Sequence, residues 1–327
     1  MKKRRYVLFT GPRRLEIQEA AIPCPDRSLN EFLVRTLATG ISAGTELRFY
    51  RGNFSQGVLL DEQILALRQP FQYPTTYGYS NVGEVEADGR RVFSFRPHES
   101  HYVASDESLF AVPEDVSVEG AVLWPSFETA VNLILDARPL IGEKVLVVGQ
   151  GIIGLAVTAL LSEYPLQQLC TIDKLAKRRE ASVRIGADYS FTPEEAMDSS
   201  FDVKDFDLAI ELSGHAEGLN LATNGVGFEG RVVVGSWYGE KPQMVELGTH
   251  FHRGRLQLIS SQVSHINPCF TKRWDRARRM ETAARALARF PVETLISHRF
   301  PVERAGQAYS LLDREPENCL QVLLTYT

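Results

Sequence analysis

"EKVLVVGQGIIGLAVTALLSEY", Glu143 to Tyr164, decides the fold. It begins as an apolar strand over Lys144 to Val148, turns through Gly149-Gln150-Gly151-Ile152-Ile153-Gly154, and continues with helical apolar spacing to Tyr164. The glycines serve different mechanical ends. Gly149 permits the tight turn, Gly151 lets backbone approach a pyrophosphate, and Gly154 lets the helix pack close to the strand. Phosphate then rests on the helix N-terminus at Ile152 and Ile153, where backbone N–H groups and the helix dipole favour an anion. A second strand, "LCTID", ends in Asp173, 24 residues beyond Gly149, where such a fingerprint places the carboxylate that binds the ribose hydroxyls. A carboxylate there accepts from the 2′- and 3′-hydroxyls and repels a 2′-phosphate, so NAD(H) is preferred over NADP(H). Lys174 and Lys177 pull against that preference, and the same geometry allows Asp173 to cap a helix starting at Leu175.

The surrounding pattern is that of a doubly wound α/β sheet. "KRREASVRIGAD" reads as the next helix with a glycine at its end, followed by strands "FDLAIELSG" (Phe206 to Gly214), "GRVVVGSWYG" (Gly230 to Gly239) and "LQLISSQ" (Leu256 to Gln262). Ligands of such sheets sit beyond the carboxyl ends of the strands, which makes Ser213, Gly235, Ser236, Trp237 and Ser261 candidate liners of the nicotinamide half of a cleft. Each reads equally as an ordinary strand-end turn residue.

The N-terminal third differs in kind. "RYVLFT", "RLEIQEA", "EFLVRTLATGIS", "SNVGEVEAD" and "RRVFSF" are short alternating strands separated by Gly, Pro and Asp, without the long crossovers that parallel strands need. They predict an antiparallel, barrel-like domain over 1–118. The helical "VLWPSFETAVNLILDARPLIGE" leads into a dinucleotide-binding domain over 119–266. A segment over 267–327, with "HRFPVERAGQAYSLLD" as a helix and "CLQVLLTYT" as a final strand, returns to the first domain.

Composition agrees with two lobes: 327 residues, 44% of them apolar, suffice for two ordinary cores. A net charge of -5 gives no field for nucleic acid or an anionic membrane, and the basic "MKKRR" and Lys272 to Arg289 segments read as solvated faces. No apolar run approaches the ~20 residues of a membrane span, and the charged N-terminus precedes no signal-peptide core. A cytoplasmic protein with a small-molecule substrate is expected. Cys24, Cys170, Cys269 and Cys319 lie far apart, which argues against a disulfide framework and a four-cysteine zinc site. The histidine pairs His98/His101 and His250/His252 have no further ligands nearby.

The order of parts, with "TGISAGTEL", "YGYSNVGEV", "VLVVGQGIIG" and its Asp173, and "HRFPVERAGQAYSLLD", resembles the medium-chain dehydrogenase/reductase superfamily over essentially the whole chain. That resemblance implies a GroES-like catalytic domain joined to a Rossmann domain, and pairing into a homodimer through the Rossmann edge strand. It also implies departures. "GISAGTEL" matches the stretch where zinc-dependent members carry Gly-x-Cys-Gly-Thr-Asp, yet Ala43 beside Ser42 stands at the cysteine. Gly78-Tyr79-Ser80 stands at Gly-His-Glu, Trp124-Pro125 at Glu-Pro, and "SFRPHESHYV" replaces the structural-zinc lobe. Hydroxyls, an indole and a methyl group do not replace thiolate, imidazole and carboxylate on zinc, so no metal is expected. Within the superfamily the chain is most similar to the zinc-lacking branch with bacteriochlorophyllide hydroxyethyl dehydrogenases and threonine-dehydrogenase-like proteins.

Without a metal, hydride transfer to a carbonyl still needs a proton for the developing alkoxide. Thr45 keeps the hydroxyl of the family's relay position, and Tyr79 puts a phenol where a zinc imidazole would project. A cation such as Arg48 beside Tyr79 would bring the phenol nearer neutrality. His98 is the second candidate donor. Bland roles exist for all three: a turn hydroxyl, packing, and an exposed loop residue. Glu46 is expected to pair with Arg48 or Arg51, or to anchor its loop, and Leu37 to Gly52 reads as too glycine-rich for a helix. The amphipathic Val58 to Leu67 stretch is either a cover for the substrate mouth or a surface helix.

The leading expectation is an NAD(H)-dependent, zinc-independent alcohol dehydrogenase or carbonyl reductase. An enone or quinone reductase of the same superfamily, and a non-catalytic dinucleotide-binding sensor or structural protein, are the alternatives.

Overall fold

The computed structural model describes residues 2–61, 64–197, 204–239 and 242–326, and the chain divides into two units, Met1–Pro125 with Pro291–Thr327, and Ser126–Phe290. In the first unit, alternation places one face of each strand inward. Strands β1 (Lys3–Gly11) and β2 (Arg14–Ala21) form an antiparallel hairpin. Strand β3 (Glu31–Ile41) pairs antiparallel with both β4 (Asn81–Val85) and β6 (His101–Ser105), and β4 continues to β5 (Arg91–Ser94) and β7 (Phe110–Ala111). Val34, Val85, Val92 and Tyr102 close one small core beneath these strands.

Helix α1 (Ala43–Arg51) leaves β3 directly, so the Leu37 to Gly52 stretch is largely helical against expectation. Gly40 lies in β3, Gly44 falls in the first turn of the helix, and Gly52, at φ 75°, is the left-handed residue that ends it. Inside the first turn, Glu46 reaches back to accept from the Ser42 backbone N–H at 2.7 Å, while the Ser42 side chain makes no cap bond. The expected Val58 to Leu67 helix reduces, among the described residues, to one 3₁₀ turn at Leu65–Leu67; Glu62 and Gln63 lie outside the described residues. Leu60, Leu67 and Phe71 are drawn into the core with Phe49 and Tyr77, which removes the amphipathic face.

A short helix, α2 (Val118–Ala121), stays with this unit: the Ser80 hydroxyl donates to the Val122 carbonyl at 2.6 Å. The chain therefore changes unit inside helix α3 (Trp124–Ala137), at Pro125/Ser126 rather than at 118/119.

The second unit is a Rossmann domain. Strands β8 (Lys144–Val148), β9 (Gln168–Ile172), β10 (Tyr189–Phe191), β11 (Phe206–Glu211), β12 (Val226–Val234) and β13 (Gln257–Ser260) pair in parallel in the order β10-β9-β8-β11-β12-β13. Their crossovers carry α4 (Ile152–Leu161), α5 (Ala176–Arg184), α6 (Pro193–Met197), α7 (Ala216–Gly225) and α8 (His250–Arg253). Strand order reverses between β8 and β11, the switch point at which such sheets bind ligands. Helix α9 (Arg276–Arg289) belongs here, not to a returning segment that starts at 267, because its buried Arg279 donates to Glu128 and Asn132 of α3.

Return to the first unit begins at Pro291. "HRFP", read as the start of a helix, lies in strand β14 (Ile296–Pro301); helix α10 (Ala305–Arg314) follows, and β15 (Gln321–Thr325) inserts between β14 and β3. The expected return of the last strand thus takes the form of ladder hydrogen bonds to β3.

Candidate active site

The glycine turn has the shape that a dinucleotide needs. Gly149, at φ 93°, sits so close to the end of β11 that an added Cβ would lie 2.6 Å from the backbone of Leu212 and Ser213. At Gly154 a Cβ would lie 2.0 Å from the Gly149 carbonyl oxygen, the close helix–strand contact expected of it. Gly151 is the opposite case: a Cβ there meets nothing within 4 Å, so its glycine answers to no protein neighbour and leaves room for a ligand at the N-cap of α4. Gly151 at the N-cap has no side chain to cap the helix, and uncapped N–H groups of a first turn are the kind that can receive an anion.

Asp173 closes the cradle. Its Oδ2 accepts from the Gln150 N–H at 2.7 Å and its Oδ1 from the Leu175 N–H at 2.8 Å, fastening the glycine loop to the end of β9. The capping alternative is thus partly realised, because the same carboxylate serves Leu175 while keeping lone pairs for ribose hydroxyls. Lys174 is exposed; the cation beside Asp173 is Arg178, with Nη1 3.8 Å from Oδ2, a neighbour that the fingerprint spacing does not single out.

At the ends of β11 and β12, Ser213 donates both its N–H and its hydroxyl to Glu211, and the Ser236 hydroxyl accepts from the Gly214 N–H at 2.8 Å. Glu211, fully buried and also bonded by the Tyr238 phenol, is a second residue that sequence reasoning missed. Gly235 answers to packing, since a Cβ would strike Leu133 and Leu212 side chains at 2.7 Å. Ser261 lies elsewhere, donating to Asp136 at 2.6 Å.

In the first unit, the Tyr79 phenol donates to the Ser42 hydroxyl, and the Thr45 hydroxyl is a second hydrogen-bond partner. Burial pushes this phenol above its ordinary value, the Ser42 and Thr45 bonds pull it back, and the Glu46 and Asp61 carboxylates push it up again. Arg48 does not perform the expected service; its own guanidinium is pulled down by burial and by Arg51. Glu46 turns away from both arginines: it is fully buried and takes hydrogen bonds from His98 and Tyr309, because α1 points it into the core. His98 is correspondingly not an exposed loop residue but one of the most deeply buried polar groups. Among the described residues no group of three or more His, Cys, Asp or Glu side chains could hold a metal ion.

A Rossmann sheet with this glycine turn, following a GroES-like antiparallel unit, is the architecture of medium-chain dehydrogenases/reductases, and the proteins to which the chain is similar are dehydrogenases of that kind. Over 366 aligned residues it is 24% identical to the starvation-sensing protein RspB of Escherichia coli (strain K12), covering 98% of this chain and 99% of that one. It is 26% identical over 228 residues to D-guloside 3-dehydrogenase of the same strain, covering 67% of this chain and 65% of that one. The solved short chain alcohol dehydrogenase rspB of E. coli CFT073, complexed with the cofactor NADH, superposes with a TM-score of 0.77 at 21% identity, covering 99% of each chain. No family model matches the chain.

Proposed function

We propose that the protein is an NAD(H)-dependent, zinc-independent dehydrogenase or carbonyl reductase that interconverts a secondary alcohol and a ketone on a small polyhydroxylated substrate. The observation that carries this reading is the Tyr79 phenol, hydrogen-bonded to Ser42 within one turn of Thr45, standing where zinc-dependent relatives would place an imidazole. Ala43, Tyr79 and Trp124 offer zinc no thiolate, imidazole or carboxylate, so the donor set does not fit the metal. The Gly149 to Gly154 cradle and Asp173 do fit a dinucleotide with free ribose hydroxyls. NADH, when bound, supplies the hydride.

Everything else falls to the chain itself. In the reducing direction the carbonyl oxygen gains charge, and a phenol held protonated by burial is the group able to donate to it. For that step the phenol O–H turns from Ser42 to the carbonyl oxygen, and the Ser42 hydroxyl reverses to donate, with Thr45, to the phenolate oxygen, which then regains a proton from solvent through these hydroxyls. A polyhydroxylated substrate is suggested by the guloside on which a relative is named to act. We further propose a homodimer, through the edge strand β13 with its exposed Leu258, and a cytosolic setting in which all four cysteines remain thiols.

The test is NADH oxidation by the purified protein against two acceptor sets, with metal content measured on the same sample. Turnover confined to saturated ketones and aldehydes in metal-free protein supports the proposal. Turnover confined to enones and quinones would make this an ene or quinone reductase. NADH binding with no turnover would favour a dinucleotide sensor, a role consonant with the name of its RspB relative.

A further inference from the structure

We infer that the buried Glu46–His98 pair is a positioning device for the Tyr79–Ser42 couple, an inference that deepens the reading of Tyr79 as the proton donor. Ser42 and Tyr79 lie on turns 37 residues apart in sequence, and their hydroxyls meet only if both backbones are fixed. Glu46 fixes the first: its Oε1 accepts from the Ser42 N–H at 2.7 Å. His98 fixes the second in two ways. Its backbone N–H donates to the Tyr77 carbonyl at 3.3 Å, and its ring lies so close under Gly78, at φ 120°, that a Cβ there would be 2.8 Å from Cδ2 and Nε2. The 2.9 Å bond from His98 Nε2 to Glu46 Oε2 joins the two turns.

The rest of the network locks this joint in place. Tyr309 of α10 also donates to Glu46 Oε2, His98 Nδ1 lies 2.7 Å from the Thr39 hydroxyl, and Thr39 lies 3.1 Å from the Tyr326 phenol. One proton assignment satisfies every member: Tyr326 donates to Thr39, Thr39 to His98 Nδ1, and His98 Nε2–H and Tyr309 both donate to Glu46. Burial drives the Tyr309 and Tyr326 phenols upward, which keeps both as donors. Thr39, Glu46 and His98 are each almost completely buried, a location where packing alone would be served by apolar side chains. What a carboxylate and an imidazole add there is direction: Glu46 Oε1 faces the Ser42 N–H, Oε2 faces both His98 and Tyr309, and the two ring nitrogens of His98 face Glu46 and Thr39. His98 is therefore a positioning residue and does not touch the substrate.

The experiment uses full-length protein with ¹³Cζ-labelled tyrosine, the Tyr79 resonance being assigned by its loss in Tyr79→Phe. His98→Leu, which removes both ring nitrogens, is compared with His98→Gln, which keeps a donor and an acceptor. The inference expects His98→Leu to displace the Tyr79 resonance and its alkaline titration, and His98→Gln to restore much of both. It expects kcat for carbonyl reduction to fall about tenfold in His98→Leu with KM for NADH little changed, and to fall less than about twofold further when His98→Leu is added to Tyr79→Phe. An unmoved Tyr79 resonance in a folded variant, or losses that multiply in the double variant, would overturn it. Should His98→Leu fail to fold, Glu46→Gln carries the same resonance test. A wild-type protein without carbonyl turnover would sink the functional reading alone, because the resonance still decides the positioning.

Discussion

Tyr79 is the residue on which the proposed chemistry turns. Replacing it by Phe removes one hydroxyl from a partly buried ring that still packs edge-on against Tyr77. Thermal stability should change little, while kcat for carbonyl reduction should drop by about 10² or more, as loss of a general acid does. Steady-state kinetics beside a melting curve separate the two effects. The pH profile follows from the upward push of burial on the phenol. A donor raised above about 10 stays protonated through the neutral range, so reduction should be flat there and decline only in strong alkali, while alcohol oxidation should climb with pH up to that region. An acidic break in the reduction profile would point to a different donor. The candidate residues Thr45, Tyr79 and His98 are legible in the sequence as chemistry-bearing positions, but their partners are not. Sequence alone matches Glu46 to Arg48 or Arg51, its neighbours along the chain, or to an anchor of its own loop, and the bond it accepts from the Ser42 N–H agrees with the second. Its real partners, His98 and Tyr309, arrive from distant segments, and no local pattern announces them.

Elements are legible where a period and a breaker coincide. The strand-turn-helix of β8 and α4 follows directly from its glycines, whereas α1 is hidden because one glycine in the preceding strand, one in the first helical turn and one at the helix end look alike in a row of letters. The three glycines of the cradle make separable predictions. Gly154→Ala should cripple folding, since its methyl would collide with the Gly149 carbonyl. Gly151→Ala should fold with an unchanged melting temperature, because nothing in the protein crowds the new methyl, yet bind NADH more weakly by about tenfold or more. Fluorescence titration of NADH against both variants checks this, and a Gly151→Ala protein with native affinity would refute the assigned phosphate position. Helix α9 offers a stability counterpart. Arg279 is buried and donates to Glu128 and Asn132, so Arg279→Ala leaves the buried Glu128 carboxylate with only the more distant Arg276 guanidinium, 3.8 Å away, and should cost about 3 kcal/mol in denaturant unfolding. This pairing also explains why the 267–290 segment belongs with α3: the sequence shows an Arg-rich run, and only the fold shows that one of those arginines points inward.

At the scale of the whole molecule, the two-unit plan is legible because the hydrophobic period changes along the chain, from alternating short strands to strands interleaved with helices. What the period does not carry is how each unit places its ionisable groups. The phenols that burial raises lie very unevenly: Tyr50, Tyr73, Tyr77, Tyr79, Tyr102, Tyr309 and Tyr326 all fall in the antiparallel unit, against Tyr164 and Tyr238 in the Rossmann unit. A phenol whose folded value exceeds its unfolded value near 10 contributes fully below that pH. Above it the unfolded chain loses the proton first, so stability falls as pH rises until the folded group also ionises. The antiparallel unit should therefore be the alkali-sensitive half. Raising the pH above about 10 should release tyrosinate absorbance in a cooperative step, accompanied by loss of hydrogen-exchange protection in β3, β4 and β15, while β8 and β11 stay protected. NADH at a hundred times its Kd should add about 2.7 kcal/mol to the unit that binds it. If the cradle lies where Gly151 and Asp173 place it, that increment should appear as slowed exchange in β8, α4 and β9. Uniform alkaline loss of protection across both units would mean that the phenols do not govern alkali sensitivity.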